Sequence, residues 1–202
     1  MPDDQSLPDD PAILPVQKRA GAALGLYVAD GETFITRSVE RIELGADGIP
    51  GDRHGGILRG ADARTPWHRR GARIFNDRQI SLVSREELDA IAEGLGIATV
   101  EPETLGANVL IGGISRFSML PRGTRLFFPS GATLVLTDQN APCRISGAAL
   151  AARYTDEARL SFRFVEVARR MRGMVAYVER PGVLTAGDSL EVRIPEQWLW
   201  RD

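Results

Sequence analysis

The chain has 202 residues, 43% of them hydrophobic, with a formal net charge of −2 and a pI of about 5.8. That is enough apolar material to bury the core of about one domain, while the balanced charge lacks the basic footprint of a nucleic-acid binder. No apolar stretch approaches the ~20 residues that span a bilayer, and Met1 to Asp10 carries four aspartates and no basic residue, the opposite of a signal peptide's start. The expectation is a cytoplasmic protein with neither nucleic acid nor membrane as partner.

Residues 1–19 read as a flexible arm with four prolines between Met1 and Pro15. A single domain over 20–195 follows, then a short tail over 196–202. Leu24 to Val28 and Phe34 to Leu44 read as strands, Gly45 to Gly60 as a glycine-rich loop, and Arg59 to Arg73 as a long exposed connection of the kind that often carries function. Gln79 to Val83 is a short strand. Ser84-Arg-Glu-Glu87 has the spacing of a capping box, Leu88, Ile91, Ala92 and Leu95 recur at helical intervals, and Gly94 and Gly96 supply stop signals, so a helix is predicted over Glu86 to Leu95. Asn108 to Ile111, Arg125 to Phe128 and Thr133 to Thr137 read as strands, the last two joined by a Pro129-Ser-Gly131 hairpin turn. Ile145 to Tyr154 is alanine-rich and helical, and Ser161 to Met171 fits helix or strand. Gly173 to Glu179 is a strand, Pro181-Gly182 a turn, and Ser189 to Ile194 the closing strand. Many short strands with few helices predict a mainly β architecture, a β-barrel-like closed sheet with a few peripheral helices.

Chemistry concentrates in three places. The only cysteine, Cys143, follows a β run and a Gln-Asn-Ala-Pro turn and precedes Arg144. Alone it forms no internal disulfide, and two histidines do not complete an ordinary structural zinc site. It is a candidate nucleophile or soft metal ligand, against the commoner fate of a free cysteine as a small buried apolar group. Gly51-Asp-Arg-His-Gly-Gly56 combines glycines that let the backbone approach an anion, the Arg53 fork, and His54 as a proton carrier. The competing reading of that segment is a tight turn in which Asp52 caps its own backbone. It is no Walker A loop, since no Lys-Ser or Lys-Thr pair follows the glycines. No Gly-x-Ser-x-Gly occurs, and Cys143 with His54 or His68 has neither zinc-ligand spacing nor a hydrolase signature. The third place is Arg172, which opens a segment whose other residues suit strands and turns. If these segments share a function, the Gly51–Gly56 loop, Cys143 and an arginine from 53, 144 or 172 should line one pocket.

Four segments in order resemble the MOSC domain, named after the C-terminal part of molybdenum-cofactor sulfurases: Gly48-Ile-Pro-Gly-Asp-Arg-His-Gly-Gly56, Gln79-Ile-Ser-Leu-Val-Ser-Arg-Glu-Glu-Leu88, Leu134-Val-Leu-Thr-Asp-Gln-Asn-Ala-Pro-Cys143, and Arg172-Gly-Met-Val-Ala-Tyr-Val through Gly-Asp188. A fifth, Glu103-Thr-Leu-Gly-Ala-Asn-Val-Leu110, resembles the family's segment around an asparagine, with Ala107 where the family usually has an acid. The resemblance implies a stand-alone MOSC protein with a barrel-like fold. It implies a functional thiol at Cys143 with His54 beside it, and a cofactor site drawing on Arg53, Asn108, Arg144 and Arg172. Two activities follow from it. In one, sulfurtransferase-like, Cys143 carries sulfane sulfur as a persulfide to a metal–sulfur centre. In the other, Cys143 ligates molybdenum in a bound molybdopterin-type cofactor and the site reduces an N-oxygenated substrate. The implied partner is a sulfur donor or an electron-transfer protein, together with the small-molecule cofactor. A non-catalytic cofactor- or partner-binding module is the third reading.

Overall fold

The computed structural model describes residues 13–154 and 157–198. The expected arm as far as residue 12 and the tail from 199 lie outside these residues. The N-terminal half contributes β1 (Gln17–Val28), β2 (Arg37–Val39), β3 (Arg41–Leu44), β4 (Leu58–Gly60), β5 (Arg73–Phe75), β6 (Ile80–Ser84), α1 (Arg85–Leu95) and β7 (Val109–Gly112). The C-terminal half adds β8 (Arg125–Phe127), β9 (Thr133–Gln139), α2 (Arg144–Ala151), α3 (Glu157–Val167), β10 (Met174–Arg180), β11 (Gly182–Thr185) and β12 (Ser189–Ile194). A 3₁₀ turn, Pro102–Leu105, precedes β7, and a second covers Phe117–Met119.

Seven strands close into a barrel in the order β12-β8-β9-β10-β6-β7-β1, with β1 returning to β12 and β2 extending the sheet from β1. β1 holds the closure because it changes partner along its length. Gln17 to Ala22 pair with β12, Ala22 to Leu26 with β7, and Leu26 to Val28 with β2, across a register shift between Ala23 and Gly25. Such a bulge bends a strand and re-aims it, as a barrel corner requires. β6 and β7 run parallel, and α1 with the first 3₁₀ turn makes the long crossover that parallel neighbours need.

Alternation along the strands sorts side chains into two cores. Ile80 and Leu82 of β6, Val109 and Ile111 of β7, and Leu134 and Leu136 of β9 point into the barrel with Phe117 and Leu126. Val83 and Leu110 point outward, where they meet Leu88, Ile91 and Leu95 of α1 and Phe164 of α3. Each fully buried Leu, Ile or Phe removes enough apolar surface to contribute about 1.5–3 kcal/mol. β6 is therefore buried on both faces, and every one of its residues is inaccessible. The predicted α1 and its Leu88, Ile91 and Leu95 contact face are as expected. Arg163 of α3 donates to the carbonyls of Gly94 and Leu95 at 2.7 and 3.1 Å, so a cation ends α1 where its dipole is negative.

Several local expectations are corrected. β1 begins at Gln17 rather than at the expected Leu24, because Gln17 to Ala22 pair with β12. Phe34 to Leu44 is not one strand: it breaks at Glu40, β2 joining the barrel and β3 pairing with β11. β11 runs from Gly182, expected within a Pro181-Gly182 turn, to Thr185. The arginine-rich connection is tied back as a β4–β5 ribbon. Ser84 and Glu87 do not form a capping box. The Ser84 hydroxyl donates to Glu86 at 2.7 Å, while Glu87, on the buried helix face, accepts from the backbone N–H and hydroxyl of Ser118 at 2.9 and 2.6 Å. Ser161 to Val167 is helical, as part of α3.

Candidate functional site

The last residues of β9 lead through Asn140-Ala-Pro to Cys143, the N-cap residue of α2. The Asn140 N–H donates to the Gly173 carbonyl at 2.9 Å, which ties this turn to the start of β10. Ser146, one turn into α2, works back on the cap. Its hydroxyl oxygen lies 3.5 Å from the Cys143 sulfur, donates to the Cys143 carbonyl at 3.0 Å, and accepts the Cys143 N–H at 3.4 Å. The sulfur is half-buried. Burial pushes the thiol up, but the Ser146 hydroxyl, the N–H groups of Ser146 and Ile145, and the Arg172 charge together hold it below its ordinary value. A thiolate at a helix N-terminus beside a cation is a reactive one.

Cys143 lines a cavity of about 550 Å³ with Arg53, His54, Arg59, Arg64, Arg78 and Arg172. Five arginines therefore face a wall on which Asp62 is the one carboxylate among the lining residues. Most of them are already engaged. Arg59 pairs with Asp77, Arg64 with Asp62, Arg53 donates to the Glu32 carbonyl at 2.8 Å, and Arg78 donates to Asn140 Oδ1 at 3.2 Å. Arg172 differs. Its residue is 7% exposed and Nη2 donates to the Leu105 carbonyl, but Nε and Nη1 have no partner among the described residues. Desolvation brings it down to about 10, opposed by the Cys143 charge and aided by Arg78 and Arg64, so it stays cationic at neutral pH. A buried guanidinium with two idle donors is costly unless an anion completes it.

The geometry around Arg172 depends on Gly173. Its φ is +101°, and a Cβ there would lie 2.0 Å from the Leu82 carbonyl oxygen. Only glycine lets β10 come this close to β6.

In the same lining, the His54 ring is held by a buried carboxylate. Asp52 Oδ1 accepts from His54 Nδ1 and from the His54 backbone N–H, both at 2.8 Å, and Oδ2 accepts from the Ala29 N–H at 2.6 Å and from Asn108 Nδ2 at 2.9 Å. Burial raises the Asp52 carboxyl, but the His54 ring, the Ala29 N–H and the His54 N–H overcome it and hold it below the usual carboxylate range. An ionised carboxylate only accepts, so it is Nδ1 that carries a proton in this bond.

The expected shared pocket exists: Arg53, His54, Cys143 and Arg172 line it together. Two expected residues do not. Arg144 lies over the Phe162 ring, its Cζ 4.7 Å from the ring centre, because as the first residue of α2 it projects toward α3. Asn108 is fully buried beneath the loop, with Oδ1 accepting the Ser81 N–H and Nδ2 donating to Asp52 and the Tyr27 carbonyl. Its contribution is to hold Asp52. His68 is also absent from the lining, and no group of three or more His, Cys, Asp or Glu side chains among the described residues is arranged to hold a metal. The sequence reading passed over Arg59, Arg64, Arg78, Asn140 and Ser146. A signal existed for Ser146 in its place three residues after Cys143, a capping spacing.

The profile of the MOSC domain matches residues 50–191. The chain belongs to the MOSC family. Among its MOSC relatives is YuaD of Bacillus subtilis (strain 168), named as a metal-sulfur cluster biosynthesis protein, 42% identical over 176 residues that make up 87% of this chain and 92% of YuaD. The crystal structure of B. subtilis YuaD superposes with a TM-score of 0.86 at 41% identity, covering 89% of this chain and 98% of that one. YiiM from Geobacillus stearothermophilus, at 12% identity and a TM-score of 0.57 over 90% of this chain and 76% of its own, shares the fold alone. Among the described residues no helix is long and apolar enough to cross a membrane.

Proposed function

We propose that this MOSC protein is a sulfur carrier of metal–sulfur chemistry, with Cys143 as the carrying thiol. One observation supports this above the others: Cys143 is held toward the thiolate at the N-terminus of α2, half-accessible, inside a cavity lined by arginines. The thiolate attacks the outer sulfur of a sulfane donor, the donor's S–S bond breaks with its electron pair, and Cys143 is left as a persulfide. A persulfide is more acidic than a thiol, and the same N–H groups and the Arg172 charge stabilise its anion. His54, held through Nδ1 by Asp52, takes the proton of an arriving thiol at Nε2 or returns one to a leaving group. The name of the 42% identical relative accords with this role.

The cavity also has features of a site for a molybdopterin-type cofactor. The two idle donors of Arg172 suit a phosphate, and the volume of about 550 Å³ admits a ligand of that kind. Arg172, Arg78 and Arg53 would hold the anionic part and Cys143 would offer the soft ligand; bound there, the cofactor would supply metal-centred electron transfer.

The deciding experiment incubates reduced protein with polysulfide and maps the added sulfur by mass spectrometry. One extra sulfur atom on Cys143, absent in Cys143→Ser, is expected. No labelling of Cys143, with molybdenum co-purifying from a competent host and lost in Cys143→Ser, would replace the carrier reading with the cofactor one.

A further inference from the structure

Resting on the carrier reading, we propose that the donor is a small thiosulfonate, thiosulfate in its simplest form, and that Arg172 with Arg78 receives the sulfur oxyanion that departs. A donor that is merely another thiol's persulfide brings no oxyanion. It would leave Nε and Nη1 of Arg172 as idle as they are now. A thiosulfonate carries both required parts in one molecule, a sulfane sulfur for the thiolate and sulfonyl oxygens for guanidinium N–H groups.

The surroundings favour that pairing. Arg172 and Arg78 line the same cavity as Cys143, and each is desolvated enough to be pushed below its ordinary range, with Arg78 adding to the effect on Arg172. A buried cation and a partly buried one that disfavour each other accept a dianion readily, since it relieves both their desolvation and their repulsion. Asn140 and Ser81, linked by an Nδ2–Oγ bond of 3.2 Å, fix the Arg78 side of the cavity. Thiosulfate would take up a small part of a cavity of about 550 Å³, and an organic thiosulfonate would occupy more of it.

The step balances without an external oxidant or reductant. The Cys143 thiolate forms a bond to the outer sulfur of thiosulfate, and that sulfur's bond to the sulfonate breaks. The electron pair leaves with sulfite, a dianion as thiosulfate was, and Cys143 remains as the persulfide anion. The charge transferred to the leaving group develops on the atoms facing Arg172 and Arg78, so their donors bind more strongly as the bond breaks.

The test runs two donors side by side on the reduced full chain: thiosulfate, followed by sulfite release and by mass at Cys143, and polysulfide, which has no oxyanion. We expect one sulfite per sulfur gained with thiosulfate, and competition by sulfate. Arg172→Gln and, as a second variant, Arg78→Gln should each slow the thiosulfate reaction by roughly tenfold or more relative to the same variant's polysulfide loading, which in Arg172→Gln also slows because that charge helps hold the thiolate. If polysulfide loads Cys143 in the unaltered protein and thiosulfate does not, the inference fails and the carrier reading stands. If neither donor loads it, the carrier reading itself fails. Thiosulfate loading that is unchanged in both variants, or equal losses with both donors in both variants, overturns the assignment to the arginines.

Discussion

Asn108 sets the geometry of His54 from a distance, and its removal should be felt first in stability. Asn108→Ala leaves the Ser81 N–H, bonded at 2.9 Å, without an acceptor and the Tyr27 carbonyl, bonded at 3.3 Å, without that donor. It also takes from Asp52 the donor at 2.9 Å, one of four holding a carboxylate inside the protein. Two buried neutral groups at about 1 kcal/mol each and one charge-assisted bond at about 1.5–3 kcal/mol sum to roughly 3–5 kcal/mol. With a urea slope of ~2 kcal/mol per M for a domain of this size, the unfolding midpoint should fall by roughly 1.5–2.5 M. Equilibrium urea unfolding followed by tryptophan fluorescence and far-UV circular dichroism measures it. Asn108→Asp separates the contributions, since it keeps an acceptor for Ser81 but sets a second carboxylate against Asp52. It should be at least as destabilising at neutral pH and recover partly as acid protonates one of the pair. A midpoint shift for Asn108→Ala under about 0.5 M would refute the view that this side chain is the hub of the loop.

Acid titration of stability should show the depressed Asp52: its contribution is complete above the ordinary carboxyl value of 3.8 and disappears as pH falls through the lower folded value, a loss that Asp52→Asn should abolish in pH-dependent unfolding. Burial raises Glu87, with Ser118 opposing, so its contribution is present below 4.5 and fades as pH rises through the higher folded value. Glu87→Gln should equal or exceed the parent at neutral pH in the same measurement, and a clear loss there would contradict this. Gly173→Ala should cost about 3 kcal/mol or more, from its φ of +101° and the 2.0 Å clash with Leu82. Iodoacetamide should alkylate Cys143 with a midpoint below the ~8.5 of a free thiol, and Arg172→Gln should move that midpoint upward. Arg144→Ala loses its stacking on Phe162, about 0.5–1 kcal/mol, and should leave the alkylation profile in place.

The barrel's inner faces and α1 were legible because one-sided burial writes a period into the sequence, as Leu88, Ile91 and Leu95 do in α1. The break at Glu40 and the β4–β5 ribbon were not, since both are decided by partners far away in the chain: β3 by β11, and β4 by a strand beyond a loop of a dozen residues. At the site, Cys143, His54, Arg53 and Arg172 stood out through chemistry or through their motifs. Arg78 and Asn140 did not, because nothing in their neighbours announces that β9, β10 and β6 converge there. Arg144 misled by adjacency. A residue next to a thiol in sequence is turned away from it once a helix begins at that position.

The way β1 stitches the barrel also constrains how the protein comes to be folded. Residues 17–21 find their strand partners in residues 190–194, a separation of most of the chain. As the polypeptide leaves the ribosome, its first long strand therefore waits with one edge bare until the last strand has been made. Contacts of such range are slow to form, and an uncovered strand edge is an invitation to other chains. The Ala23–Gly25 bulge limits that hazard, because a bent strand makes a poor template for straight neighbours. The irregularity that lets β1 serve three partners is thus also a safeguard for the unfinished molecule.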